Sequence, residues 1–219
     1  MDFFQRSYSG HSFRPRPLIE EDKSTNTLIV ATSWGGSEHA QLVVDTIKEQ
    51  LIVSEDTQAT RINSGHQGLS EEANLLRQAA TLANERLYLR ENNREYSAAV
   101  EIALITVQKE TLHWAQLGTP HLLLSGNQGF QPLCYSPDWS WQLQQSSPLV
   151  SKALGLDRQC YLNCGSYKLQ GNEKLLMICR SAVPGTLYQI QSPDLTTCSQ
   201  ALVEDNSNAP FWLGVVGFS

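Results

Sequence analysis

The stretch from Thr27 to Leu51 constrains this chain more than any other. Leu28-Ile29-Val30-Ala31 is a continuous apolar run, the mark of a buried strand. It breaks at Thr32-Ser33-Trp34-Gly35-Gly36, where two glycines permit a sharp turn. Ser37 stands where a helix N-cap belongs, with Glu38 near the positive helix end. Ala40, Val43, Val44, Ile47 and Leu51 follow at helical spacing, so one helix face is expected to be buried. His39 falls on the opposite face and is expected in solvent. The Gly35-Gly36 pair before the helix could hold an anion on backbone N–H groups, but a structural turn is the simpler role.

The rest of the chain reads as strands and helices in a definite order. Residues 1–22 are polar and turn-rich, with a short edge strand over Pro17 to Ile19. Thr57 to Gly68, which includes Ser64-Gly65-His66, reads as a loop. Ser70-Glu71-Glu72 opens a second helix, striped by Leu76, Ala79, Ala80, Ala83 and Leu87 and ending near Asn92-Asn93. Ala99–Val107, Leu112–Leu117, His121–Leu124 and Phe130–Leu133 are short strands joined by tight turns, which predicts an antiparallel meander. A short helix is expected near Pro148 to Leu154. Trp139-Ser140-Trp141, if extended, puts both indoles on one face, where they either cover the core edge or anchor a partner. Cys160–Leu169 and Lys174–Arg180 read as a hairpin, Ser192-Pro193 as the start of a third helix, and Phe211–Phe218 as a closing strand. The pattern predicts an α+β protein, with antiparallel sheets layered between helices.

Bulk properties narrow the functional classes. A chain of 219 residues suits one domain, 1–219, with residues 1–13 a candidate flexible segment. No apolar run approaches the ~20 residues of a membrane span, and the first residues lack the apolar core of a signal peptide, so a cytoplasmic location is expected. The net charge of −6 and scattered basic residues argue against nucleic acid as partner. Five cysteines are expected to be buried and reduced. Cys160 and Cys164, if both on one strand, have Cα atoms roughly 13 Å apart, too far for a disulfide. The histidines (His11, His39, His66, His113, His121) show no metal-ligand spacing, and His113 and Trp114 point to opposite faces of a strand.

Four segments in this order resemble the metal-dependent Ser/Thr protein phosphatases of the type 2C class. Thr32-Ser33-Trp34-Gly35-Gly36 resembles the family's Asp-Gly-His/Met-Gly-Gly at a strand end, with Thr32 at the metal-binding Asp and Ser33 at the next Gly. Ala83-Asn84 resembles the family's Ala-Asn pair on the helix before the meander. Leu117-Gly118-Thr119-Pro120-His121 is similar to the Gly-Asp-Ser-Arg turn; Gly118 is kept, Thr119 takes the Asp place and His121 the Arg place. Ser181 and Ser207 stand where the last two metal aspartates belong, and Asn208 matches the Asn of the final Asp-Asn pair. The family's N-terminal Arg and acidic region map loosely to Arg14-Pro15-Arg16. The resemblance implies a four-layer α-β-β-α sandwich of antiparallel sheets.

It also implies a binuclear metal site, and the residues to hold one are missing. Hard divalent ions need carboxylate oxygens, and the neutral hydroxyls of Thr32, Ser181 and Ser207 cannot offset their charge. The chain therefore reads as a non-catalytic phosphatase-like protein, with no cofactor and another protein as partner, acting as regulator or scaffold. Trp34, Trp139 and Trp141 are the candidate partner-binding residues. The alternative is a divergent metal-dependent phosphatase or other hydrolase with a rearranged site using Asp205, Asp22 or Glu21. An N-terminal-nucleophile hydrolase is a third option, and nothing near Met1 supplies its nucleophile.

Overall fold

The computed structural model describes residues 1–56, 67–126, 129–143, 148–191 and 194–218, without the side chains of 54–56, 141 and 142. Ser64-Gly65-His66, the Asn127-Gln128 turn and Ser192-Pro193 lie outside the described residues. The chain divides into two compact units, one of Pro17–Leu117 with Lys152–Leu169, the other of Met1–Arg16, Gly118–Ser151 and Gln170–Ser219.

The first unit holds strands β2 (Leu18–Asp22), β3 (Thr27–Trp34), β4 (Ala99–Gln108), β5 (Thr111–Leu117) and β8 (Asn163–Lys168) as an antiparallel sheet in the order β2-β3-β4-β5-β8. Helices α1 (Ser37–Asp56) and α2 (Glu71–Leu87) pack on it through the expected stripes: Val43, Ile47 and Leu51 of α1 and Leu76, Ala80 and Leu87 of α2 are buried against Ile29, Ile102 and Leu104. The sequence sets both helices. Ser70 accepts the Ala73 N–H at 3.1 Å as the N-cap of α2. Lys109 and Glu110, both at positive φ, make the two-residue β4–β5 turn. Asn84 and Asn92 fasten α2 and the π-turn after it, Tyr88–Asn92: Asn84 accepts the Gly155 N–H at 2.8 Å, and Asn92 accepts the Ala98 N–H at 3.0 Å.

The other unit holds β1 (Asp2–Tyr8), β6 (His121–Gly126), β7 (Gly129–Cys134), β9 (Lys174–Cys179) and β10 (Phe211–Gly217) in the antiparallel order β1-β10-β9-β6-β7. Helix α3 (Trp139–Gln142), a 3₁₀ turn at Gly185–Gln189 and helix α4 (Leu195–Asp205) complete it. Leu187, Cys198 and Leu202 pack on Leu176, Ile178 and Leu213. Asp194, not Ser192, caps α4, accepting the Thr197 N–H at 2.8 Å.

Several expectations are corrected. The four-strand meander is two hairpins in different sheets: β4–β5 pair in one, β6–β7 in the other, and Gly118 at φ +75° begins the connection between them. Likewise β8 and β9 do not pair with each other. A hairpin and a change of sheet both need a tight polar turn, so turn chemistry cannot separate them. Residues 148–154 are not helical; Leu154 instead bridges Val100 through paired backbone bonds. The helix is at Trp139–Gln142, because Asp138 accepts the Ser140 N–H at 2.9 Å, so Trp139 and Trp141 do not share an extended face. Asp2–Tyr8 is an edge strand on β10, held by ring contacts of Phe3 with Trp212 and Tyr8 with Phe211. His39 is buried rather than solvated, because the turn after α2 brings Glu91 to 3.6 Å from its Nε2.

His113 and Trp114 are both buried; His113 Nδ1 shares the hydroxyls of Ser70 at 2.9 Å and Ser166 at 2.8 Å. All five cysteines are free; Cys134, Cys179 and Cys198 are buried, Cys160 and Cys164 half-buried, and Cys160 precedes its strand. Burial pushes the Cys164 thiol up to about 11 and the Cys198 thiol up to about 12, which keeps both protonated and inert.

Candidate functional site

In the first unit the strand β3 ends in the turn of Ser33 to Gly36. Thr32 is fully buried and faces Glu101 of β4 in the ladder. The Ser33 hydroxyl donates to the Gly36 carbonyl at 2.7 Å, and Gly35 takes φ +131°, so the turn is closed by its own groups. The Glu38 carboxylate lies directly against Gly36, where an external anion would otherwise approach the helix end. The Gly35-Gly36 pair is therefore a structural turn. Trp34 is half-buried, and its indole N–H donates to Glu101 Oε2 at 2.9 Å. Trp34→Ala removes that bond and half an indole's packing. It is expected to lower the unfolding free energy by about 2 kcal/mol in urea titrations.

In the other unit a buried arginine organises the turn at Thr119. Arg14 donates from Nη2 to Asp138 Oδ2 at 3.1 Å and from Nη1 to the Thr119 hydroxyl at 3.3 Å. Thr119 is thus a hydroxyl acceptor for a guanidinium. Asp138 also takes the N–H and hydroxyl of Ser140. His121 is fully buried; its Nε2–H donates to the Arg180 carbonyl at 2.9 Å and its Nδ1 accepts the Ser136 N–H at 3.1 Å. Those partners fix the neutral Nε2–H tautomer.

A second buried arginine follows β9. Arg180 is 5% exposed and donates from Nη2 to Asp205 Oδ2 at 2.8 Å. Burial lowers its pKa, opposed by Asp205. Ser181, the next residue, gives its carbonyl to the Asp138 N–H at 3.1 Å. An open cavity of about 540 Å³ lies here, lined by Arg14, Ser140, Arg180, Ser181, Asp205 and Asn208 among others. Of the degenerate positions, Ser181 and Asn208 line it; Ser207 offers its carbonyl to the Tyr8 hydroxyl at 2.9 Å. Thr32, Ser33, Trp34, Gly35 and Gly36 belong to the other unit, and Gly118 and Thr119 to this one.

The donor set does not fit a divalent metal pair. Among the described residues no three His, Cys, Asp or Glu side chains group as ligands. Asp138 is already neutralised by Arg14 and Asp205 by Arg180. Carboxylates already paired to guanidiniums offer a divalent ion little net negative charge. Asp22 caps its own turn, accepting the Ser24 N–H at 3.0 Å and hydroxyl at 2.6 Å, and Glu21 is exposed.

Sequence reasoning passed over the groups that matter most here. The pattern singles out neither Arg180 nor Asp138 nor Glu101, although Glu101 is a lone acid inside an apolar strand and Asp138 precedes Trp-Ser-Trp. Trp139 is 54% exposed; the Trp141 side chain lies outside the described residues.

No protein-family model matches the chain, and no curated protein does. Solved structures do. PppA, a key regulatory component of T6SS in Pseudomonas aeruginosa, is 15% identical over 99% of this chain and 97% of its own, with a TM-score of 0.69. The PPM Ser-Thr phosphatase MsPP of Mycobacterium smegmatis is 14% identical over 100% and 99%, also at 0.69. The Mycobacterium tuberculosis serine/threonine phosphatase PstP/Ppp is 11% identical over 98% and 97%, at 0.65. With its two antiparallel five-stranded sheets and accompanying helices, this chain has the fold of the PPM, or type 2C, Ser/Thr phosphatases.

Proposed function

We propose that this chain is a non-catalytic phosphatase-fold protein that acts by binding another protein, as a regulator or scaffold. One observation carries the reading. Thr32, Thr119, Ser181 and Ser207 stand at the acidic positions of the resemblance, while the acids Glu101, Asp138 and Asp205 are each held by a Trp or Arg donor. A regulatory role has a precedent of fold in PppA, described as a regulatory component. Trp139, exposed, and Trp34, half-buried, are the aromatic anchors proposed for a partner, with Trp141 added on sequence alone. Among the described residues no helix is long and apolar enough to cross a membrane, and a cytoplasmic location is part of the proposal.

The test is turnover and metal binding on the full chain. With millimolar Mn²⁺ or Mg²⁺ and either p-nitrophenyl phosphate or a phosphothreonine peptide, we expect no release of phosphate above the blank. No rise in melting temperature with Mn²⁺ is expected either, since a metal that bound only the folded state would raise it. Mn²⁺-dependent turnover that Asp205→Asn abolishes would establish the rearranged metal-dependent phosphatase instead.

A further inference from the structure

We propose that the cavity beside Ser181 receives a single carboxylate, presented by an acidic peptide segment of a partner protein, with Arg180 as its anchoring cation. This rests on the reading of the chain as a non-catalytic protein-binding module. Arg180 spends Nη2 on Asp205, and among the described residues its Nη1 is buried without a hydrogen-bond partner. A buried guanidinium N–H left unmade is costly, so an acceptor brought to it is favoured. Arg180 lines the cavity while its Nη1 is buried, so the ligand is reached by a turn of the guanidinium. Asp205 is the group that yields: its side chain is 40% exposed, and it sits at the C-terminal end of α4, where the helix dipole disfavours an acid.

Charge selects the ligand. Arg14 and Arg180 face Asp138 and Asp205, so the four groups sum to zero. One further negative charge is met by the spare Arg180 donor, in the geometry that suits carboxylates. A phosphate dianion would add a second charge beside Asp205 with no cation to match it. Neutral donors on Ser181, Asn206 and Asn208 line the same wall and suit the second carboxylate oxygen. The segment that brings Ser140 to the cavity also carries the exposed side chains of Tyr135, Trp139 and Leu143, apolar surface offered to residues flanking the acid.

The experiment is a ¹H–¹⁵N titration of the full chain with acetylated, amidated Ala-Phe-Xaa-Ala-Ala peptides in which Xaa is Glu, Gln or phosphoserine. A further Gln peptide with a free C-terminus separates a side-chain carboxylate from a chain-end one. The Glu peptide is expected to move the Ser181 and Asn206 amides and to bind about tenfold more tightly than the Gln peptide. Phosphoserine should bind more weakly than Glu at neutral pH. Arg180→Gln should erase the Glu preference. Asp205→Asn should tighten Glu binding several-fold, a gain that a purely structural Arg180 would not produce, and it carries the test if Arg180→Gln unfolds. Equal binding of Glu and Gln peptides, tighter phosphoserine binding, or no gain in Asp205→Asn overturns the assignment. Preference of the free C-terminus over Glu keeps the carboxylate and moves its source to a chain end. Each result stands apart from turnover: Mn²⁺-dependent phosphatase activity overturns the underlying reading, whereas peptide failure without turnover overturns only this one.

Discussion

Arg14→Ala is expected to cost about 3–5 kcal/mol of unfolding free energy in urea titrations, the range found when one partner of a buried ion pair is removed. The Arg14 and Asp138 side chains are 3% and 7% exposed. Without the guanidinium, Asp138 keeps, among the described residues, only the Ser140 donors against a full buried charge. The consequence reaches the cavity, because the Asp138 N–H holds the Ser181 carbonyl at the end of β9. The double variant Arg14→Met with Asp138→Asn tests the cause. It removes both charges, and the asparagine oxygen still accepts the Ser140 N–H. The cost should fall to about 1–2 kcal/mol, so the two changes are strongly non-additive. A cost below about 1 kcal/mol for Arg14→Ala would mean that the pair is effectively solvated.

Much of the fold is written in local pattern, and the site is not. The stripe Val43, Ile47 and Leu51 and the cap at Ser70 were legible because a 3.6-residue period and a capping hydroxyl are properties of a few neighbouring residues. The assignment of strands to sheets was not, since Gly118 and the Gln170–Glu173 turn would look the same in a hairpin. Asp2–Tyr8 escaped notice because Phe3 and Phe4 are adjacent and break the alternation of a half-buried strand, and most of its residues are exposed at a sheet edge. The cavity's ion pairs join residues 124 and 25 positions apart, and nothing local announces such partners. The resemblance points to Ser181 and Thr119, neither of which is an acid. The charged groups now there arrive from Asp138, Arg180 and Asp205, one residue or more away from the aligned positions.

Between the ordinary histidine range and about pH 4, His121 alone is expected to remove about 3 kcal/mol of stability. Burial is the main cause of its pKa falling to about 4 from 6.5; the Arg180 carbonyl opposes it, Arg14 adds to it, and Asp138 opposes it. The folded protein thus holds the ring neutral while the unfolded chain protonates it near 6.5. In that interval the unfolded state binds more protons, so stability rises with pH. The contribution is complete above about 6.5 and is lost as pH falls to about 4. Protonation would put a second donor on Nδ1, where the Ser136 N–H already points. His113 is shifted down by burial too, against the pull of Glu72, and acts in the same sense. Carboxylates also titrate toward the acid end, so the wild-type curve cannot apportion the loss. His121→Gln can. Its amide has one acceptor for Ser136 and one donor for the Arg180 carbonyl, and it has no charge to gain. We expect it to be about 1 kcal/mol less stable than the parent near neutral pH and the more stable of the two near pH 4.5. Urea titrations at both conditions measure the crossing. Parallel curves would show that His121 stays neutral throughout or finds water when charged, and the acid loss would then belong to the carboxylates.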